Sequence, residues 1–133
     1  MPLTVLDVYS TGVSSLTALA GMPLKELNVS HCEVSYLSPL KGMMLENIDI
    51  FLTKVADVAV LSGMPLRSLR LSDTKVRDVA MLAEFTALET LTIPVDAFNV
   101  DALHHLPHLK KVGNSWNQLL SPADFWARYD AHK

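Results

Sequence analysis

Apolar residues return along this chain at a fixed interval. Leu3, Leu24, Leu45, Leu66, Leu88 and Leu109 are separated by 21, 21, 21, 22 and 21 residues. A second apolar column follows three positions later: Leu6, Leu27, Ile48, Leu69, Leu91 and Val112. A third comes two positions after that, at Val8, Val29, Ile50, Leu71 and Ile93, and Asn114 takes its place in the sixth unit. Three more columns run Val13, Val34, Val55, Val76, Phe98; Leu16, Leu37, Val58, Val79; and Leu19, Leu40, Leu61, Leu82. Residues two apart share one face of a strand. The second and third columns therefore predict strands at residues 5–8, 26–29, 47–50, 68–71 and 90–93. Asp7, Asn28, Asp49, Arg70 and Thr92, between them, point the other way.

After each strand the chain is expected to turn, drop a valine inward and make one short helical or 3₁₀ turn. Gly21, Gly42 and Gly63 close that turn, where positive φ costs glycine little. Asp57 and Asp78 are placed to accept its first free N–H groups, and Pro2, Pro23 and Pro65 hold the next link extended. The unit from Met22 to Val34 reads L-x-x-L-x-L-x-x-C-x-V, a leucine-rich repeat. One unit cannot bury its own apolar side, so units stack in parallel around a continuous core. The expected fold is α/β: a short right-handed leucine-rich repeat arc with a parallel sheet on its concave face. Residues 1–117 form about five repeats plus a partial sixth, and residues 118–133 form a C-terminal helical cap.

One polar column interrupts this pattern. Thr11, Cys32, Thr53 and Thr74 follow each opening leucine by eight residues. A buried turn leaves backbone groups in need of partners, and a stacked ladder of hydroxyls and one thiol is expected to bond them between units. A reactive role for Cys32 is the weaker reading, because apolar surroundings make a thiol inert.

The fifth unit drifts. Ala83 to Ala87 replaces the Gly-Met-Pro link, and Pro94 ends the pairing of its strand. Residues 96–106 read as an amphipathic helix with Phe98, Ala102, Leu103 and Leu106 on one side. Leu109 to Val112 starts a sixth strand. Ser121-Pro122-Ala123-Asp124 then has the form of a helix start, with serine at the N-cap and proline at the first position. Phe125, Trp126, Tyr129 and Trp116 supply apolar area that a solenoid end requires as a cover; the rival reading is an aromatic binding site.

Composition narrows the function. A net charge of -3 and pI near 5.9 give no basis for binding nucleic acid or an anionic membrane. No apolar run approaches the ~20 residues of a membrane span, and the start lacks the basic region of a signal peptide. No compartment is indicated, and a lone cysteine allows no intrachain disulfide. Glycine-rich phosphate loops, the G-x-S-x-G elbow, kinase catalytic motifs and zinc-type cysteine clusters are missing; Asp124-Phe125-Trp126 lacks the glycine of a magnesium-binding Asp-Phe-Gly. His104 and His108 have metal-ligand spacing, but Pro107 lies between them and no acid is placed as a third ligand. No catalytic residue, metal or cofactor is expected.

The sheet face away from the core is the candidate site. Concave faces of this kind bind partners, and this one should present Asp7, Tyr9, Glu26, Asn28, Asn47, Asp49, Phe51, Ser68, Arg70 and Thr90, beside Val5, Ser30, Ser72 and Thr92. Nothing in the core calls for Tyr9 or Phe51. Aromatics beside acids and one arginine have the composition of a protein-binding hot spot; two stray aromatics on a solvated face is the alternative. The expectation is a non-catalytic protein-interaction module with a protein partner, set against a structural domain without ligand.

Ser38-Pro-Leu-Lys-Gly-Met43, the Gly-Met-Pro-Leu links, Leu-x-Leu-Ser-x-Thr-x-Val and the ending from Ser115-Trp116-Asn117 through Phe125-Trp126-Ala127-Arg128-Tyr129-Asp130 resemble a bacterial leucine-rich repeat group common in planctomycetes. In that group such repeats often form the C-terminal tails of serine/threonine protein kinases. The resemblance implies a further alternative, a regulatory or sensor tail of such a kinase. Finally, Leu3, Leu6, Val8, Val13, Leu16 and Leu19 have no preceding repeat to cover them, so the isolated chain is expected to form a homodimer through its first unit.

Overall fold

The computed structural model describes residues 4–115 and 118–131. Pro2, Leu3 and Trp116, each given a role by the sequence pattern, lie outside the described residues. Each repeat contributes one short strand: β1 Val5–Asp7, β2 Glu26–Asn28, β3 Asn47–Asp49, β4 Ser68–Arg70, β5 Thr90–Thr92 and β6 Lys111–Gly113. They form one parallel sheet in sequence order. Leu6, Leu27, Ile48, Leu69, Leu91 and Val112 stand side by side across it. The extra residue between β4 and β5 is absorbed outside the strands, because a one-residue slip would turn every core side chain outward.

The inward columns are almost solvent-free. Ile50, Leu45, Leu66, Leu69, Leu71, Leu82 and Leu91 are each 0% exposed, and burial of each such side chain is worth about 1.5–3 kcal/mol. In the first unit Leu6, Val8, Val13 and Leu19 are only half-buried against this core. Leu16 departs from the expected bare column and is buried, at 2% exposure.

The pairing continues past the strands. Val8, Val29, Ile50 and Leu71 donate N–H groups to Asn28, Asp49, Arg70 and Thr92 carbonyls of the next unit at 2.9–3.1 Å. The chain then turns through a residue in the left-handed region: Ser10, His31, Leu52 and Asp73, with φ of 55°, 59°, 57° and 57°. None is glycine, so each carries a backbone cost. The threonine column closes this turn in a way that differs from the expected inter-unit ladder. Thr11, Thr53 and Thr74 donate to the carbonyl three residues back in their own unit, Val8, Ile50 and Leu71, at 2.8, 2.8 and 2.7 Å. A hydroxyl on a short side chain reaches its own turn more readily than the next unit. Among the described residues this column crosses between units at Cys32, its thiol 3.1 Å from the Val8 carbonyl and 3.6 Å from the Thr11 hydroxyl.

Short 3₁₀ turns return the chain to the next strand, at Thr17–Leu19, Ser38–Leu40, Ala59–Leu61 and Ala80–Glu84. Asp57 and Asp78 accept the Ala59 and Ala80 N–H groups at 2.8 and 3.0 Å, as expected. Gly21, Gly42 and Gly63 take φ of 82°, 83° and 85°.

The fifth unit corrects the expected amphipathic helix over 96–106. Only Val100–His105 is helical, and it is 3₁₀. Phe98 does not join its apolar column: it is 53% exposed and bonds along the turn of the previous unit through Arg77 and Val79. The cause lies upstream. Pro94 fixes φ near −65°, the chain makes its turn one residue late from Pro94 to Ala97, and this turn has no left-handed residue; Asn99, φ 62°, lies beyond it, just before the 3₁₀ stretch.

At the C-terminal end the chain doubles back. Leu120 and Val112 exchange N–H···O bonds at 2.9 Å, an antiparallel bridge on the outer edge of β6. The approach is close enough that a Cβ on Gly113 would stand 2.6 Å from the Gln118 carbonyl oxygen. Helix α1, Pro122–Ala131, follows, with the Ser121 hydroxyl accepting the Asp124 N–H at 3.3 Å. Phe125 is buried, and Trp126 and Tyr129 pack partly against the core.

Candidate partner-binding face

The sheet face opposite the core holds a shallow hollow of about 390 Å³ across β1 to β4, from Val5 to Arg70. All ten residues expected on this face are at least partly accessible. Ser30, Ser72 and Thr92, also expected there, are buried instead.

Much of the polar chemistry of this face serves the fold. The Asp7 Oδ1 accepts the Tyr9 N–H at 2.9 Å, Asn28 Oδ1 accepts the Ser30 N–H at 3.0 Å, and Asp49 Oδ1 accepts the Phe51 N–H at 3.0 Å. This side-chain acceptor two residues before the donor is an Asx turn. In the fourth unit Arg70 occupies the same place and has no acceptor to offer. The Thr92 hydroxyl of the fifth unit takes over, accepting from Leu71 N–H at 3.1 Å and Ser72 N–H at 3.4 Å. That substitution is why Thr92 is 0% exposed. Glu26 accepts from the Asn47 amide at 2.7 Å, while Ser68 and Thr90 make no side-chain hydrogen bond among the described residues.

Tyr9 and Phe51 come from the same repeat position in units one and three. Two strand spacings, roughly 10 Å, would separate their rings, with the small, buried Ser30 between. His31 fills the interval. Its backbone is left-handed, φ 59°, and its ring lies 4.9 Å from Tyr9 and 5.1 Å from Phe51, tilted at 52° and 56°. The result is an aromatic–imidazole–aromatic platform over three units, with Tyr9 53% exposed. Sequence reasoning missed His31. Its signal was a ring-bearing residue beside a serine flanked by aromatics one repeat away on either side.

Burial pushes the Asp49 carboxyl up, as the largest influence on it. The Phe51 N–H, Arg70 and His31 oppose the shift, and Asp7 adds to it. No ion pair joins Asp49 to Arg70 among the described residues.

A second polar ladder also escaped the sequence reading. The residues just after the opening leucines alternate in charge: Lys25, Glu46, Arg67, Glu89, Lys110. Arg67 Nη2 lies 2.6 Å and Lys110 Nζ 3.2 Å from the Glu89 carboxylate, which together hold Glu89 below the usual carboxylate range. These pairs lie in exposed surroundings and lock neighbouring units rather than a ligand.

The histidine pair at the other end does not converge. His104 stacks on Trp126 at 3.9 Å and stands 3.7 Å from Asp101, whereas His108 is exposed. Among the described residues no three His, Cys, Asp or Glu side chains cluster as a metal site, and no helix is long and apolar enough to cross a membrane. Beside the cap, a hollow of about 780 Å³ opens between the displaced fifth turn and α1, with Pro94, Phe125 and Arg128 on its walls.

No protein-family model matches the chain, and no curated protein matches it. Solved structures do. An internalin from Listeria monocytogenes is 23% identical over 82% of this chain, with a TM-score of 0.73. An internalin C2 from the same species is 24% identical over 84%, with a TM-score of 0.78. The chain spans 33% and 51% of those two proteins. At this identity the likeness is one of fold, and it is the leucine-rich repeat solenoid that the parallel six-stranded sheet and terminal helix also display.

Proposed function

We propose that this chain is a non-catalytic module that binds a protein partner on the concave face of its sheet. The observation that carries this reading is the Tyr9–His31–Phe51 platform. Three rings are held in contact and accessible on a face where the core asks for none. Large rings fixed in place beside polar groups give much contact area for little ordering entropy. Glu26, Asn28, Asn47, Ser68, Arg70 and Thr90 supply the polar surroundings, and Asp7 and Asp49 lie against the platform. The fold-level likeness to internalins agrees with a repeat scaffold and says nothing of this chain's partner.

The test is affinity capture with the chain as bait. Phe51→Ala with Arg70→Ala should reduce capture of the specific partner about tenfold or more, with an unchanged circular dichroism spectrum. Lys75→Ala, exposed and beyond the turn, should not. Equal capture by all three would refute the reading, and no partner at all would favour a structural domain without ligand. The reading as a regulatory tail of a serine/threonine kinase rests on the sequence resemblance alone; an in-frame kinase domain encoded upstream of Met1 would favour it. Self-association through β1 is a further proposal for the isolated chain. It is supported by the half-buried Leu6, Val8 and Val13 and by Val5 at 53% exposure, and light scattering that gives a clean monomer would overturn it.

A further inference from the structure

The chemistry of the partner at this face follows from what the platform lies against. In units one to three the face presents Asp7, Glu26 and Asp49 and neither lysine nor arginine; its first cation is Arg70 in β4. Asp7 and Asp49 each use Oδ1 to hold the backbone N–H of the adjoining ring residue. Oδ2 of each has no hydrogen-bond partner among the described residues. Two carboxylates with one unoccupied oxygen each therefore flank a row of rings. An anionic partner group would meet like charge, and an apolar one would strip water from carboxylates without replacing its hydrogen bonds. A planar guanidinium meets both demands, stacking on ring faces while its fork of N–H groups reaches carboxylate oxygens.

We propose that the Tyr9–His31–Phe51 platform receives an arginine side chain of the protein partner, its guanidinium over the rings and paired with the free oxygen of Asp7, with Asp49 adding negative charge from two strands away. This rests on the concave-face reading and is narrower than it. The chain also supplies a clean control. Asn28 makes the same turn with an amide oxygen that the aspartates make with a carboxylate. Asp7→Asn and Asp49→Asn should thus remove charge and keep the turn.

The probe is a blocked Gly-Arg-Gly tripeptide, titrated into the nitrogen-15-labelled chain and followed by backbone amide shifts. Saturable shifts confined to Tyr9, Ser30, His31, Phe51 and their neighbours are expected. The citrulline tripeptide should give none, the lysine tripeptide should bind several-fold more weakly, and Asp7→Asn/Asp49→Asn should weaken the arginine probe about tenfold with an unchanged circular dichroism spectrum. Failure of the arginine probe to shift these amides, or equal binding by citrulline or by the doubly substituted chain, overturns the proposal. If that happens while partner capture still depends on Phe51 and Arg70, the arginine is wrong and the face is right. If capture ignores those residues, the face itself is wrong.

Discussion

The left-handed turn residue gives the sharpest energetic test of the fold. Asp73 has φ 57°, is exposed, and makes no side-chain hydrogen bond among the described residues. Replacing it therefore changes backbone strain and little else. The left-handed conformation costs an ordinary L-residue about 1–2 kcal/mol; Asn and Asp tolerate it best, and β-branched residues worst. Asp73→Val should destabilise the chain by about 1–2 kcal/mol, lowering Tm by roughly 3–10 °C for a chain of this size. Asp73→Asn should stay within about 0.5 kcal/mol of the parent. Position 95 in the fifth unit is the control. It occupies the same place in the repeat, yet after Pro94 its φ is not positive. Val95 is 83% exposed, so Val95→Asn should leave stability within about 0.5 kcal/mol. Urea denaturation monitored by circular dichroism, with m-values compared, measures all three. A neutral Asp73→Val would refute the account of the turn. A Val95→Asn variant stabilised by as much as Asp73→Val loses would refute the claim that position 95 has left the left-handed region.

Other outcomes follow from the same geometry. Thr74→Val removes the hydroxyl that bonds the Leu71 carbonyl and the Val76 N–H; the carbonyl keeps the Thr74 N–H, but leaving the Val76 N–H unpaired in the core should cost about 1–3 kcal/mol by urea denaturation, and a neutral result would mean the turn relaxes to reach water. Gly113→Ala places a Cβ against the Gln118 carbonyl and should cost about 1–3 kcal/mol, with faster hydrogen exchange at the Val112 and Leu120 amides; unchanged exchange would show that the cap moves freely. Acid titration should separate two carboxylates of opposite sign. The raised Asp49 binds its proton more tightly folded than unfolded, so its contribution to stability declines as pH rises through the raised value. Asp49→Asn removes that decline and should gain on the parent from acid toward neutral pH. Glu89, held low by Arg67 and Lys110, stabilises above the usual carboxylate range and loses this as pH falls through its lowered value. Glu89→Gln should fall behind the parent over the same span, and urea midpoints that move in parallel for both variants would refute the assignment.

The strands and core were legible because they depend on one-residue chemistry repeated in register. Leu27, Ile48 and Leu69 occupy one column, and the sheet aligns them side by side. The fifth unit was not legible because its helix-like pattern came from composition, while its path is set by a single backbone constraint at Pro94. Phe98 looked like a core residue by spacing and is exposed because that spacing no longer applied after the late turn. Of the site, the strand positions were readable and the platform was not. Nothing in a strand pattern tells that His31, three residues past the strand, swings between Tyr9 and Phe51, since that depends on a left-handed φ and on the small Ser30 beside it.

A stacked repeat restricts where recognition can be placed. The last residue of β1, β2 and β3 points outward and supplies an acceptor for the turn that follows. Asp7, Asn28 and Asp49 do so, and where Arg70 cannot, the next unit lends Thr92 and buries it. A position with that duty can vary in charge but not in its acceptor, since an orphaned turn N–H costs about 1–3 kcal/mol. The position two residues on has no such duty. It holds tyrosine, serine, phenylalanine, serine and proline in units one to five. Size and chemistry can therefore change there without loss of the turn. Recognition on this face is expected to divide along this line. The free column provides the rings that anchor a partner, and the obligated column provides charge through the one oxygen the turn does not use. On that division, interchanging Asp and Asn at residues 7, 28 and 49 retunes affinity while the fold stays constant, whereas removing the acceptor at any of the three is felt first as lost stability.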